Sequence, residues 1–303
     1  MTRILVIKHG ALGDFVQAFA PFHSIRQHWP EARITLLTTA PFCEMARRSP
    51  WFDRIESDSR PRWWDLPGLF SLRARLRGYD LVIDLQTSRR STRYYRLAST
   101  TAWSGLARRS AFRHDNPWRN AMHSVARQRD QLARLGVPEA GAPDLRWLSA
   151  GAPVGDRPYA VLVPGAAPHR PAKRWPAGQY GALAAILHEY GLDVLIVGSA
   201  AERSLAETIR SICPQAQDLT GRTDLMELGS VFAGARLAIG NDTGPMHLAA
   251  SLGCRAIVLF SAESDPRLTA PVGLGPGQVS VLVQEDLRDL DVSRVAALVN
   301  RGH

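Results

Sequence analysis

Gly240-Asn241-Asp242-Thr243-Gly244-Pro245-Met246-His247 stands between two apolar runs, and its reading decides the fold. Before it, Arg236-Leu237-Ala238-Ile239 reads as a short buried strand. After it, Met246 to Leu252 reads as a helix stopped by Gly253, and Arg255 to Phe260 as the next strand. Strand, tight turn and helix in that order put the turn at the carboxyl edge of a parallel sheet, where open α/β proteins bind ligands. Asp242 or Thr243 is expected to cap the helix, and Gly244 to let a ligand approach the backbone. The free N–H groups of the first turn then favour an anion such as a phosphate. His247, one turn on, is expected on the face nearest that ligand. An ordinary capped αβ turn satisfies the same pattern, so the ligand must be argued from other parts of the chain.

Working outward, the same alternation fills the chain. The 303 residues suffice for two domains with a core each, and 45% hydrophobic with 21% charged residues is ordinary for a soluble globular protein. No run of about 18 apolar residues predicts a membrane span. Met1-Thr2-Arg3 leads directly into the strand Ile4-Leu5-Val6-Ile7 without a signal-peptide apolar core, which predicts a cytoplasmic protein. Cys43, Cys213 and Cys254 are odd in number and lack CxxC spacing, which predicts reduced thiols and no zinc site. Arg3 to Lys8 reads as the first strand, His9 to Asp14 as a glycine-containing turn, Phe15 to Trp29 as a helix ended by Pro30, and Arg33 to Thr38 as the next strand. That turn lacks GxGxxG, which argues against dinucleotide binding there. Asp14 sits where it can cap the helix or act in catalysis. Further strands are expected at Leu81 to Leu85 and Thr101 to Gly105, an exposed loop at Phe112 to Asn120, and a helix at His123 to Leu135.

From Gly136 to Pro158 the composition shifts to Gly, Pro and Ala, marking a linker, and the domains are read as 1–150 and 151–303. Alternation resumes with a strand at Tyr159 to Val163, a helix at Ala177 to Tyr190, a strand at Asp193 to Val197, and helices at Ala201 to Ile212 and Leu225 to Ala233. The predicted architecture is α/β, with two Rossmann-like domains facing across a cleft. Pro164 to Pro176 is again a turn between strand and helix, at the same sheet edge as Asp242 to His247. With Lys173 in one loop and free helical N–H groups in the other, the two can hold a diphosphate.

Charge is unevenly spread. Residues 1–150 carry 24 Lys+Arg against 13 Asp+Glu, a balance of +11, and residues 151–303 carry 13 against 15, a balance of −2. The first half is therefore the part suited to an anionic partner or membrane surface. Of the 37 basic residues only Lys8 and Lys173 are lysines, and both fall in turns at a sheet edge. Arg60-Pro61-Arg62-Trp63-Trp64 and the stretch from Arg108 to Trp118 set tryptophan beside arginine, a pairing suited to a lipid interface.

Leu12-Gly13-Asp14 with Pro21, Ile25-Arg26 and Pro30, then Pro164-Gly165-Ala166, Lys173-Arg174-Trp175-Pro176 and Asn241 to His247, together resemble the motifs of glycosyltransferase family 9, the heptosyltransferases. The resemblance covers essentially the whole chain. It implies an inverting, metal-independent transferase of GT-B type, with the acceptor on the N-terminal domain and the nucleotide sugar on the C-terminal one. It implies ADP-heptose as donor, no further cofactor, and an anionic lipopolysaccharide core or similar glycolipid as acceptor at the inner-membrane surface. It places the catalytic base on Asp14 and the phosphate-neutralising group on Lys173, to work when the cleft closes. Gly165, Ala166, Lys173, Asp242, Thr243, Gly244 and His247 fall on the donor side. Lys8, Gly13, Arg108, Arg109 and Arg113 are assigned to the acceptor. The chemistry suits the residues, since displacement at an anomeric carbon needs a base on the acceptor hydroxyl and charge stabilisation of the leaving diphosphate. Two departures fall in the expected donor pocket: Ala167 where Ser or Thr is common, and Ala262-Glu263-Ser264-Asp265-Pro266 in place of Gly-Pro-Thr-Asp-Pro. A nucleotide-sugar epimerase shares the two-domain layout and would need no acceptor. A nucleic-acid-binding protein would use the basic half but leave the loops of the second half without a role.

Overall fold

The structure is a computed structural model that describes residues 1–149 and 157–300. The chain forms two compact units, Met1–Asp144 and Leu145–His303. The 150/151 division read from the sequence, and the part of the linker around it, lie outside the described residues.

Unit 1 runs β1 (Arg3–Ile7), α1 (Leu12–Val16), α2 (Phe19–His28), β2 (Arg33–Thr38), α3 (Ala40–Arg48), β3 (Arg54–Ser57), α4 (Leu66–Arg75), β4 (Leu81–Asp84), α5 (Arg89–Tyr94), β5 (Trp103–Gly105), β6 (Phe112–Arg113) and α6 (Ser124–Ala133). Unit 2 runs β7 (Tyr159–Val163), α7 (Ala177–Glu189), β8 (Asp193–Ile196), α8 (Arg203–Ile212), β9 (Gln217–Asp218), α9 (Leu225–Ala233), β10 (Leu237–Asn241), α10 (Gly244–Ser251), β11 (Ala256–Phe260), α11 (Pro266–Thr269), β12 (Val279–Val283) and α12 (Val292–Asn300). The sheet orders are β3-β2-β1-β4-β5-β6 and β12-β11-β10-β7-β8-β9, parallel at every pairing. Counted from the first strand of each unit, both follow the doubly wound Rossmann order. The direction of winding reverses between β1 and β4 (Ile4 opposite Leu81) and between β7 and β10 (Ala160 opposite Leu237).

The sequence folds this way because its central strands are apolar throughout rather than alternating. Ile4 to Ile7, Tyr159 to Val163 and Ala256 to Phe260 are all buried, as strands covered on both faces must be. Leu5, Ile7, Leu37, Val82, Tyr94 and Trp103 share one core. Leu162, Ile239, Leu259, Leu183, Leu187 and Trp175 share the other.

Two elements differ from the sequence reading. The helix expected over Phe15 to Trp29 is two helices, because the Ala18 amide donates to the Phe15 carbonyl, three residues back, and tightens the turn. Phe15 then stacks on Phe42 at 4.8 Å, while Phe19 lies against Trp51 at 5.2 Å. The stretch Phe112 to Asn120 is not all loop. Phe112 and Arg113 pair with Ser104 and Gly105 at the sheet edge, and the next residue, His114, is buried.

Candidate functional site

Unit 2 brings its two predicted loops together at the β7/β10 junction. Asn241, the last residue of β10, is the joint. It is fully buried: Nδ2 donates to the Pro164 carbonyl (2.8 Å) and the Gly165 carbonyl (3.1 Å), and Oδ1 accepts from the Trp175 amide (3.0 Å) and the Tyr180 hydroxyl (3.1 Å). One amide side chain thus uses every donor and acceptor it has, and pins both ends of the loop to the strand that leads into α10. Gly165 and Ala166 are buried in that loop, and the Ala166 carbonyl accepts from Arg174 Nη2 at 2.8 Å.

Lys173 Nζ donates to Asp242 Oδ2 at 2.6 Å, with side chains only 11% and 7% exposed. Ser264 Oγ donates to the same oxygen at 2.7 Å. This corrects the expected cap. Thr243 stands at the N-cap of α10, but its hydroxyl donates to the Asn241 carbonyl (3.3 Å) and no side chain caps the helix. Asp242, expected to cap, is held instead by Lys173 and Ser264. The first turn of α10, opened by Gly244 and Pro245, is left without a side-chain cap beside a lysine, the arrangement that receives an anion. His247 is buried within α10.

Unit 1 has a matching joint. At the β1/β4 junction Gln86 accepts from the His9 amide at 2.8 Å and donates to the Gly10 carbonyl at 3.2 Å. Gly10 holds φ +117°, and a Cβ there would lie 2.4 Å from the Phe42 ring, so only glycine fits. Lys8, just past β1, is buried and donates to the Leu85 carbonyl at 3.3 Å. Burial pushes its ammonium down to about 8, with Asp14 pulling the other way. Asp14 is exposed on α1 and forms no cap; the N-cap is Ala11, whose methyl group cannot accept a hydrogen bond. Gly13 is half-buried one residue earlier. Lys8 and Asp14 line one cavity of about 90 Å³ with Gln86, Thr87, Arg119 and Arg127.

The sequence reading assigned neither of the last two arginines to the site. Arg119 Nη2 donates to Thr87 Oγ1 at 2.6 Å, and its Nε donates to His114 Nδ1 at 3.3 Å. That bond assigns the proton of neutral His114 to Nε2, 2.6 Å from Asp130 Oδ2, and burial holds this imidazole below its ordinary range. Under the cavity, burial pushes the Asp84 carboxyl up to about 6. Arg108 and Arg109 do not join Asp14: both are exposed and line a second cavity, and Arg113 on β6 lines neither. Trp64 and Trp118 are each 73% exposed, with Arg62 5.4 Å over the Trp64 ring. Among the described residues no group of three or more His, Cys, Asp or Glu is placed to hold a metal ion, and no helix is long and apolar enough to cross a membrane.

The profile of glycosyltransferase family 9 (heptosyltransferase) matches residues 69–291. The chain belongs to this family. Lipooligosaccharide heptosyltransferase 2 of Haemophilus ducreyi is 26% identical over 89% of this chain and 86% of its own length. Lipopolysaccharide heptosyltransferase 1 of Pseudomonas aeruginosa is 28% identical over 89% and 81%. The structure of E. coli heptosyltransferase WaaC with ADP superposes on the full length of both chains with a TM-score of 0.84 at 20% identity, which establishes a shared fold. As a family 9 glycosyltransferase, the chain carries its two amide joints where the winding of each sheet reverses, the places such sheets reserve for ligands. Asn241 was part of the motif that revealed the family, yet nothing in the sequence distinguished its buried amide from its neighbours. Gln86 lay in no motif at all.

Proposed function

We propose that this glycosyltransferase moves a heptose from ADP-heptose to a sugar of a lipopolysaccharide core, with inversion and without a metal ion. The observation that carries the reading is Lys173 set beside the uncapped first turn of α10, a cationic lysine and a helix end in one place. The donor diphosphate would compete with Asp242 for Lys173, leaving Asp242 its bond from Ser264. Asp14 would take the proton of the acceptor hydroxyl as that oxygen bonds to the anomeric carbon. The bond from that carbon to the diphosphate breaks on the opposite face, and its electrons go to a phosphate oxygen stabilised by Lys173 and the amino end of α10. Lys8, Gly13, Arg119 and Arg127 around Asp14 would meet the acceptor. The exposed tryptophan–arginine segments Arg60 to Trp64 and Arg108 to Trp118 would rest on the cytoplasmic face of the inner membrane.

The test is product formation from ADP-heptose with and without a heptose-deficient core acceptor. Transfer that needs both substrates supports the reading. A changed sugar nucleotide formed from donor alone would make the protein an epimerase instead.

A further inference from the structure

Away from both sheet junctions, unit 1 holds a cavity of about 760 Å³, within the range of small-molecule sites. Thr92, Arg93, Tyr95 and Arg96, around the end of α5, line it together with Arg108 and Arg109 from the turn after β5. That turn is fixed in place. Ser110 donates to the Ala107 carbonyl through both its amide (3.1 Å) and its hydroxyl (2.7 Å), and the Tyr95 hydroxyl donates to the Arg109 carbonyl at 2.8 Å. Tyr95 is itself braced edge-on against buried Trp103, ring centroids 5.7 Å apart, and Arg93 rests 5.5 Å over the Trp63 ring.

Four arginines therefore line one space on a prepared frame. Among the described residues none of the four has a carboxylate within salt-bridge reach, whereas this chain pairs Arg26 with Asp53, Arg129 with Glu139 and Arg134 with Asp115. Like charges gathered without a counter-charge repel one another, and an anion in the cavity relieves that repulsion. A phosphate monoester, with close to two negative charges and three acceptor oxygens, can engage several guanidinium forks at once. A carboxylate offers only two oxygens and one charge.

We infer that this cavity binds a phosphomonoester, carried either by a sugar or by a lipid headgroup. The inference rests on the transferase reading only for the carrier, which would be the acceptor, anchored by a phosphate remote from the hydroxyl that reacts.

The test titrates the full chain with glucose 1-phosphate, with glucuronate as its carboxylate counterpart, and separately with phosphatidylcholine vesicles with and without phosphatidic acid. The expected result is saturable binding of the sugar phosphate, at least about tenfold tighter than glucuronate. Arg93→Glu combined with Arg96→Glu should weaken it by about tenfold or more, while Arg210→Glu on α8, an equal charge change per site, should not. The neutral pair Arg93→Gln and Arg96→Gln should show the same loss, which guards against disturbance of α5 by the reversed charges. Binding only to phosphatidic acid vesicles, abolished in the double variant, assigns the phosphate to a lipid and also supports the inference. Glucuronate bound as well as the sugar phosphate, no saturable binding of either phosphate, or binding unchanged in both double variants overturns it. None of these readouts involves sugar transfer, so a chain that binds phosphate here yet transfers no heptose refutes the transferase reading alone.

Discussion

The substitution Asn241→Asp changes one heavy atom in the joint that holds the Pro164 to Pro176 loop against β10, and the size and pH dependence of its effect follow from the bonds it disturbs. The Nδ2 group donates to two carbonyls, Pro164 and Gly165, in a fully buried position. An ionised carboxylate in its place would set a negative oxygen against both carbonyl oxygens while keeping the bonds accepted from Trp175 and Tyr180. Two lost hydrogen bonds at about 1 kcal/mol each, plus an unpaired buried charge, predict a loss of about 3–5 kcal/mol near neutral pH. The protonated carboxyl could still donate to one carbonyl, so the folded state raises its pKa above the unfolded value near 3.9. The unfolded variant then releases its proton first as pH rises, and its stability falls by up to about 1.4 kcal/mol per unit above about pH 4 until the folded pKa is reached. The assay is hydrogen exchange of the peptide spanning residues 164–176 in the full chain, read near pH 5 and near pH 7 after correction for intrinsic exchange rates. The Trp175 amide should lose protection in the variant, and more so at the higher pH. A deficit below about 1 kcal/mol, or one that is the same at both values, would refute the assignment of Asn241 as the joint.

Asp14→Asn should lower transfer by about a hundredfold or more while leaving donor affinity nearly unchanged in a steady-state assay, as loss of a general base does. Retention of most of the activity would leave Asp14 without a catalytic part. If Lys173 supplies the positive charge, as proposed, transfer should persist undiminished in excess EDTA; loss on chelation with recovery on magnesium would remove that role from it. Asp84 is held near 6 against 3.8 unfolded, so the native state keeps its proton longer and unit 1 loses stability as pH rises from about 4 to 6; urea midpoints for Asp84→Asn should lack that decline. Charge reversal at Arg60 and Arg62 should reduce co-sedimentation with anionic vesicles at low salt, and equal binding to neutral vesicles would rule out this surface.

The fold was legible because its signal is local. Apolar runs such as Ile4 to Ile7 and Ala256 to Phe260 and the turns between them carry their own period and punctuation, and the two sheets followed from them. What escaped were short elements such as β6 and β9, the longer α3, β12 and α12, for which no element was read, and contacts between distant residues. Lys173 and Asp242 were both singled out, but their 2.6 Å pairing is made across 69 residues and displaced the cap that local chemistry favours. His114 and Arg119 lie in a stretch that is polar and mostly exposed, so composition pointed outward while their partners Asp130 and Thr87 turned these two side chains inward. The basic first half was visible as charge, yet only the fold separates Arg119 and Arg127 at the Asp14 cavity from Arg108 and Arg109 at the other.

The strand order also sets when a working site can exist during folding. Ile4 meets Leu81 and Leu237 meets Ala160, so each central strand pair closes a segment whose ends are 77 residues apart. Closing so long a loop costs about 4 kcal/mol of chain entropy before the paired strands return anything. The turns on either side of each junction, Gln86 beside His9 and Asn241 beside Gly165, come together only after that closure, late in a slow, non-local assembly. A chain that ends before β4, or one that ends before β10, lacks the strand pairing that brings the turns at that junction together. If the β7/β10 junction holds the donor, as proposed, its binding reports completed topology, and recovery of nucleotide binding on refolding is expected to trail the return of helical signal.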